Sequence, residues 1–95
     1  MFNATMPEEG QVRLSGRFDA AQVEKARLVF DRISSHTVVD FAELEYISSA
    51  GLGILLMTQR RLRETGKGLK LINMNKHIRD VFQYAGFDKI FEISQ

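Results

Sequence analysis

The sequence predicts a single α/β domain over residues 1–95: a mostly parallel sheet of four or five strands with helices packed on it. Two observations predict this class. Short β-branched or alternating stretches are interleaved with amphipathic stretches of helical period in the order β-β-α-β-α-β-α-β, which favours parallel strands joined by helical crossovers. The chain has 95 residues, 44% hydrophobic and 26% charged, enough for one core but not two. No linker, repeat or low-complexity tract interrupts it.

Phe2, Ala4 and Met6 alternate, as do Val12 and Leu14, and Pro7-Glu8-Glu9-Gly10 between them reads as the turn of a hairpin. From Ala20 to Ile33, Val23, Ala26, Phe30 and Ile33 recur at helical steps. Asp19 is the natural N-cap there, with Gln22 as its capping-box partner. Thr37 to Phe41 lacks strict alternation and predicts a short central strand covered on both faces. A polar stretch then leads into a second helix from Ala50 to Thr65, whose inner side carries Leu52, Leu55, Leu56, Gln59 and Leu62 and whose stop is Gly66. Leu69 to Ile72 makes a strand. Asn75 caps a third helix that turns Ile78, Val81, Phe82 and Ala85 inward and ends at Gly86; Lys89 to Ile93 is the last strand. Met57, Met74, Phe82 and Phe87 read as core packing.

Composition removes much chemistry. Without cysteine there is no disulfide, thiolate catalysis or Cys-ligated metal. His36 and His77 have no metal-ligand spacing and read as surface residues. A Ser49, His77, Asp80 triad lacks a nucleophile-elbow sequence, and Asp80 lies three residues from His77. Gly51-Leu52-Gly53 lacks the Gly-Lys-Ser/Thr ending of a phosphate loop. The expectation is therefore no enzyme and no bound cofactor. No apolar run approaches the roughly 18 to 20 residues of a membrane span, and the N-terminus does not read as a signal peptide, so the expected location is the cytoplasm without membrane insertion.

The net charge of +1 hides an asymmetry: residues 1 to 45 have 5 basic and 8 acidic side chains, residues 46 to 95 have 8 and 4. Five of those cations lie in Arg60 to Lys70, around a helix C-terminus that favours them. Without aromatic interleaving or a basic total, nucleic acid is not an expected partner.

The densest signal runs from Asp40 to Gly53, from a strand end through a polar loop into a helix start. Sites in parallel α/β sheets lie beyond the carboxyl ends of strands, where helix N-termini point outward. One of the adjacent Ser48 and Ser49 reads as an N-cap. The pattern Val39-Asp40-Phe41-Ala42 … Tyr46-Ile47-Ser48-Ser49-Ala50-Gly51-Leu52-Gly53, after Ser15-Gly16-Arg17-Phe18-Asp19, resembles the STAS domain of bacterial anti-sigma factor antagonists over essentially the whole chain.

That resemblance implies a binding module and phosphoprotein in bacterial transcription regulation. Its unphosphorylated form would bind an anti-sigma factor that is also a serine kinase and free the sigma factor. Aligning the motif glycine on Gly51 carries the phosphoacceptor to Ser49; Ser48, which stands where the family often has aspartate, is the competitor because it puts a rival hydroxyl one position away. The implied docking face is Asp19, Ser48, Ser49, Ala50, Gly51 and Leu52, with Asp40 anchoring the loop. Magnesium and ATP would belong to the kinase, and a metal-dependent serine phosphatase would reset Ser49. Docking by one face suits a monomer or weak dimer. A STAS protein can alternatively serve as a regulatory subunit of a lipid-type ABC transporter's ATPase.

Overall fold

The computed structural model describes residues 1–94. Strands β1 (Asn3–Glu8) and β2 (Gln11–Phe18) form an antiparallel hairpin, and β3 (Thr37–Ile47), β4 (Leu69–Ile72) and β5 (Glu92–Ser94) add parallel to it in the order β1-β2-β3-β4-β5. Helices α1 (Val23–Phe30), α2 (Ser49–Arg63) and α3 (Lys76–Tyr84) fill the crossovers; 3-10 turns Ala20–Gln22 and Phe87–Lys89 precede α1 and β5. The predicted element order and class hold. Several boundaries move.

Pro7 lies inside β1, not in the turn, at a place where the pairing with β2 shifts register between Thr5 and Glu8. A proline cannot donate to the ladder, so an irregular edge position suits it. Asp19 caps a 3-10 turn by accepting from Ala21 N at 3.1 Å, and Gln22 makes no side-chain cap hydrogen bond, so the predicted capping box does not form and α1 is shorter than Ala20 to Ile33. The last strand begins at Glu92, after the 3-10 turn through Lys89. Met57 and Ala85, expected inside, are exposed.

The largest correction concerns β3. It runs eleven residues through the stretch read as a polar loop, and only one face of it is covered. Val12, Leu14 and Phe18 of β2 and Thr37, Val39, Phe41, Leu44 and Ile47 of β3 are buried, while Arg13, Arg17, Ala42, Glu43 and Glu45 are exposed. The inward residues of β3 are spaced by two, then by three, because the register against β2 slips twice: Arg13 pairs with Asp40 but Ser15 with Glu43, and Gly16 pairs with Leu44 but Arg17 with Tyr46. Each slip inserts one extra residue in β3, as a β-bulge does, and keeps the next apolar side chain facing the core. Periodicity hid the strand because the bulges break its alternation.

Against the inner face pack Ala26 and Phe30 of α1, Ile54, Leu55 and Leu62 of α2, and Ile78 and Phe82 of α3. Phe82 meets Phe41, Phe87 and Phe91 edge-on at centroid distances of 6.0, 6.2 and 5.9 Å. Arg61 leaves the solvated helix end to donate to the carbonyls of Ile33 (2.7 Å) and Phe30 (3.0 Å), tying α2 to the end of α1. Buried Gln59 accepts from Leu69 N at 2.7 Å and donates to Ile90 O at 2.9 Å, joining α2 to β4 and to the approach to β5. Lys67 N reaches back to Leu62 O and Gly66 N to Arg63 O, both at 3.0 Å, which is a Schellman closure of α2 with Gly66 at φ 75°.

Gln59→Ala should destabilise the fold by about 2 kcal/mol, because Leu69 N loses its buried acceptor and Ile90 O its donor. Urea unfolding should show a lower midpoint with an unchanged slope.

Candidate functional site

The site is built where β2 and β3 end together. Phe18 pairs with Ile47, and Ser48 N donates to Phe18 O at 2.9 Å, so the backbone leaving β3 is fastened to the end of β2 before the helix begins. Ser48 is extended (φ −91°, ψ 171°), and its Oγ accepts from Gly51 N at 3.2 Å. Its carbonyl takes the first helical bond, from Leu52 N at 2.9 Å. Ser48 is thus the N-cap and is half-buried. Ser49, the first helical residue, is exposed, and its hydroxyl makes no hydrogen bond among the described residues. The two neighbouring hydroxyls divide the work: one holds the helix, the other is free.

Gly51 explains how closely the first turn approaches the sheet. A β-carbon there would stand 2.9 Å from Cγ1 of Ile47 and 3.1 Å from the ring of Phe18, both fixed in the core. Ala50 and Leu52 are half-buried beside it, and Leu52 packs against the core edge. Asp19 follows Phe18 directly, so the Phe18–Ser48 bond brings Asp19, Ser48 and Ser49 to one end of the domain.

Asp40 does not join them. It sits within β3 opposite Arg13 and Ile72, on the order of 20 Å along the strand from Ser48. Its carboxylate accepts from Ala42 N at 2.9 Å and from the Asn73 side chain at 3.1 Å. The backbone it anchors is the first bulge of β3 and the exit of β4, where Asn73 adopts a positive φ of 62°, not a loop beside the serines. The sequence reading missed a neighbour on the open face: Arg17 lies 4.4 Å from the ring centre of Tyr46, its strand partner. Period-two alternation could not have paired them, because both bulges of β3 lie between Asp40 and Tyr46 and shift the register by two residues.

The first turn of α2 carries no acidic residue and the last turn carries Arg60, Arg61 and Arg63. The positive end of the helix dipole is therefore not offset by a carboxylate on the same turn, and it faces solvent beside the Ser49 hydroxyl. Among the described residues no group of three or more His, Cys, Asp or Glu could hold a metal ion, and no helix is long and apolar enough to cross a membrane. His36 and His77 are both exposed.

A family model described as "Mlab, STAS domain" matches residues 1–93. The chain belongs to the STAS domain family. BtrV of Bordetella bronchiseptica, named as a candidate anti-sigma factor antagonist, is 37% identical over 75 residues, which are 79% of this chain and 59% of the relative's length. The STAS fold of the chain also resembles that of an anti-sigma factor antagonist from Mycobacterium paratuberculosis, with TM-score 0.81 and 21% identity over 98% of this chain and 83% of the other. It resembles the Bacillus cell fate determinant SpoIIAA in its phosphorylated form, with TM-score 0.70 and 22% identity over 100% and 92% of the two chains.

The division between the serines has a stability signature. Ser48→Ala should cost about 1 kcal/mol through loss of the cap, and Ser49→Ala should be neutral within about 0.5 kcal/mol. Thermal unfolding of the two variants side by side measures the difference.

Proposed function

We propose that this STAS domain is an anti-sigma factor antagonist switched by phosphorylation of Ser49. In this reading the unmodified domain binds an anti-sigma serine kinase and releases the sigma factor. The kinase, using Mg-ATP, then modifies Ser49 and loses its grip, and a metal-dependent phosphatase restores the free hydroxyl. The carrying observation is the exposed, unbonded hydroxyl of Ser49 at a helix start whose cap is supplied by Ser48. A kinase can take Ser49 without dismantling the helix, whereas Ser48 would have to surrender its bond to Gly51 N. The name of the Bordetella relative and the phosphorylated state named for the Bacillus one support the same assignment.

The phosphate acts by blocking, not by refolding. It adds roughly −1.5 to −2 charge at a place where unpaired N–H groups and the dipole favour an anion. The fold therefore tolerates it, while a partner docking on Asp19, Ser49, Ala50 and Leu52 meets a bulky dianion it must desolvate or pair. On a chain of net charge +1, one such group reverses the sign of the total.

Incubation with the organism's anti-sigma kinase and Mg-ATP, followed by fragment mass mapping, should place a single phosphate on Ser49. Ser49→Ala should bind the kinase persistently and Ser49→Asp at least tenfold more weakly. Equal affinities of the two variants, or binding to a transporter ATPase with no phosphate acquired, would overturn the proposal.

A further inference from the structure

The two glycines of the serine motif differ in what they need. Gly51 has no room for a side chain, but a β-carbon built on Gly53 meets nothing within 4 Å. Gly53 lies inside α2 with an ordinary helical backbone, so neither a left-handed turn nor internal packing requires glycine there. Glycine is the poorest ordinary residue for a helix interior after proline, and alanine the best. The chain therefore keeps a helix-weakening residue at a position where its own fold would gain from alanine.

The helical period places Ser49, Gly53, Leu56 and Arg60 along the line of α2 opposite its buried side, which carries Gly51, Ile54, Leu55, Thr58 and Leu62. Gly53 stands one turn, about 6 Å, from Ser49. Beyond it Leu56 is half-buried without joining the core cluster, and Met57 is 57% exposed. Arg60 is exposed and forms no ion pair among the described residues, while its neighbour Arg61 is held by the carbonyls of Phe30 and Ile33. The outer face of α2 thus reads, from the free hydroxyl downward, as a notch, an apolar step and an unpaired cation.

We infer that this face, from Ser49 to Arg60, seats one element of the anti-sigma kinase, an apolar side chain of which sits in the notch over Gly53 against Leu56 and Met57 while a nearby carboxylate faces Arg60. The inference rests on the proposed switch and deepens it: the notch lets the partner's backbone approach α2 closely enough to bring Ser49 to its phosphate donor. Charge sets the partner's chemistry, since a free guanidinium at the end of an apolar strip complements an acidic residue bordering an apolar one.

The test is Gly53→Ala, with Met57→Ala beside it and Leu28→Ala, an exposed apolar residue of α1, as control. Gly53→Ala should raise the thermal midpoint by about 4 °C and weaken binding to the anti-sigma kinase at least tenfold. Met57→Ala should weaken binding several-fold, and Leu28→Ala should leave it unchanged. A lowered midpoint in Gly53→Ala would mean that the glycine has an internal role and would overturn the inference, as would kinase binding equal to that of the unaltered protein. If the unaltered protein neither bound the kinase nor acquired phosphate, the switch reading itself would fail and take this inference with it; a kinase bound equally by all variants would overturn the docking face alone.

Discussion

The seating of the first turn of α2 on Phe18 and Ile47 is the constraint on which the serine end depends. Position 51 has no space for a methyl group, so the helix start is held against two buried side chains, one from each of the paired strand ends. The Ser48 N to Phe18 O bond closes the same junction through the backbone, and the Ser48 hydroxyl closes it through the side chain. Packing, a backbone bond and a side-chain cap therefore fix where Ser49 points. Its exposure is a consequence of rigid neighbours, not of a loose loop, and a hydroxyl on a rigid element loses little further entropy when a partner takes hold of it.

That junction depends in turn on β3 reaching it. A strand of eleven residues with strict alternation would turn either Leu44 or Ile47 to solvent; the two bulges correct the phase twice and deliver Ile47 beneath Gly51. Asp40 belongs to this device, since it occupies the Ala42 N–H at the first bulge and links it to Asn73 at the end of β4. Its influence on the serines runs through the strand's register. On the bare face of the sheet Lys70 meets Glu92 at 3.8 Å and Arg17 lies 4.4 Å from the centre of the Tyr46 ring.

How much of this was legible follows from which signals are local. Helix caps and stops are short-range, so Asn75 was readable from the sequence and accepts from Ile78 N as a cap should, and Gly66 and Gly86 adopt positive φ where helices were expected to stop. The element order was readable because α-period and β-rich stretches alternate. What failed was whatever depended on a neighbour far in sequence. The extra residues of β3 exist only relative to β2. Met57 and Ala85 are apolar but fall where no element covers them, and periodicity cannot say how wide the covering layer is. At the serines, spacing could state that one of them caps the helix. Choosing Ser48 required the Phe18–Ser48 bond, which sets where the strand ends.

The family resemblance marks Ser48 as a departure, because a carboxylate often stands there, and the structure gives the substitution a physical meaning. An aspartate at this N-cap would accept from Gly51 N as well as serine does, and would place a negative charge one residue from the acceptor hydroxyl. A phosphate on Ser49 would then share the helix terminus with a like charge, and the stabilisation that the dipole offers would be divided between them. With a neutral cap, a phosphate on Ser49 would have the terminus without a like charge on the capping residue. The same neutrality leaves the unmodified face less polar, so a partner docking there has one fewer charge to desolvate. Under the proposed switch, serine in place of aspartate would therefore widen the electrostatic difference between the two states from both sides, favouring the bound complex with Ser49 free and the folded, unbound domain with Ser49 modified.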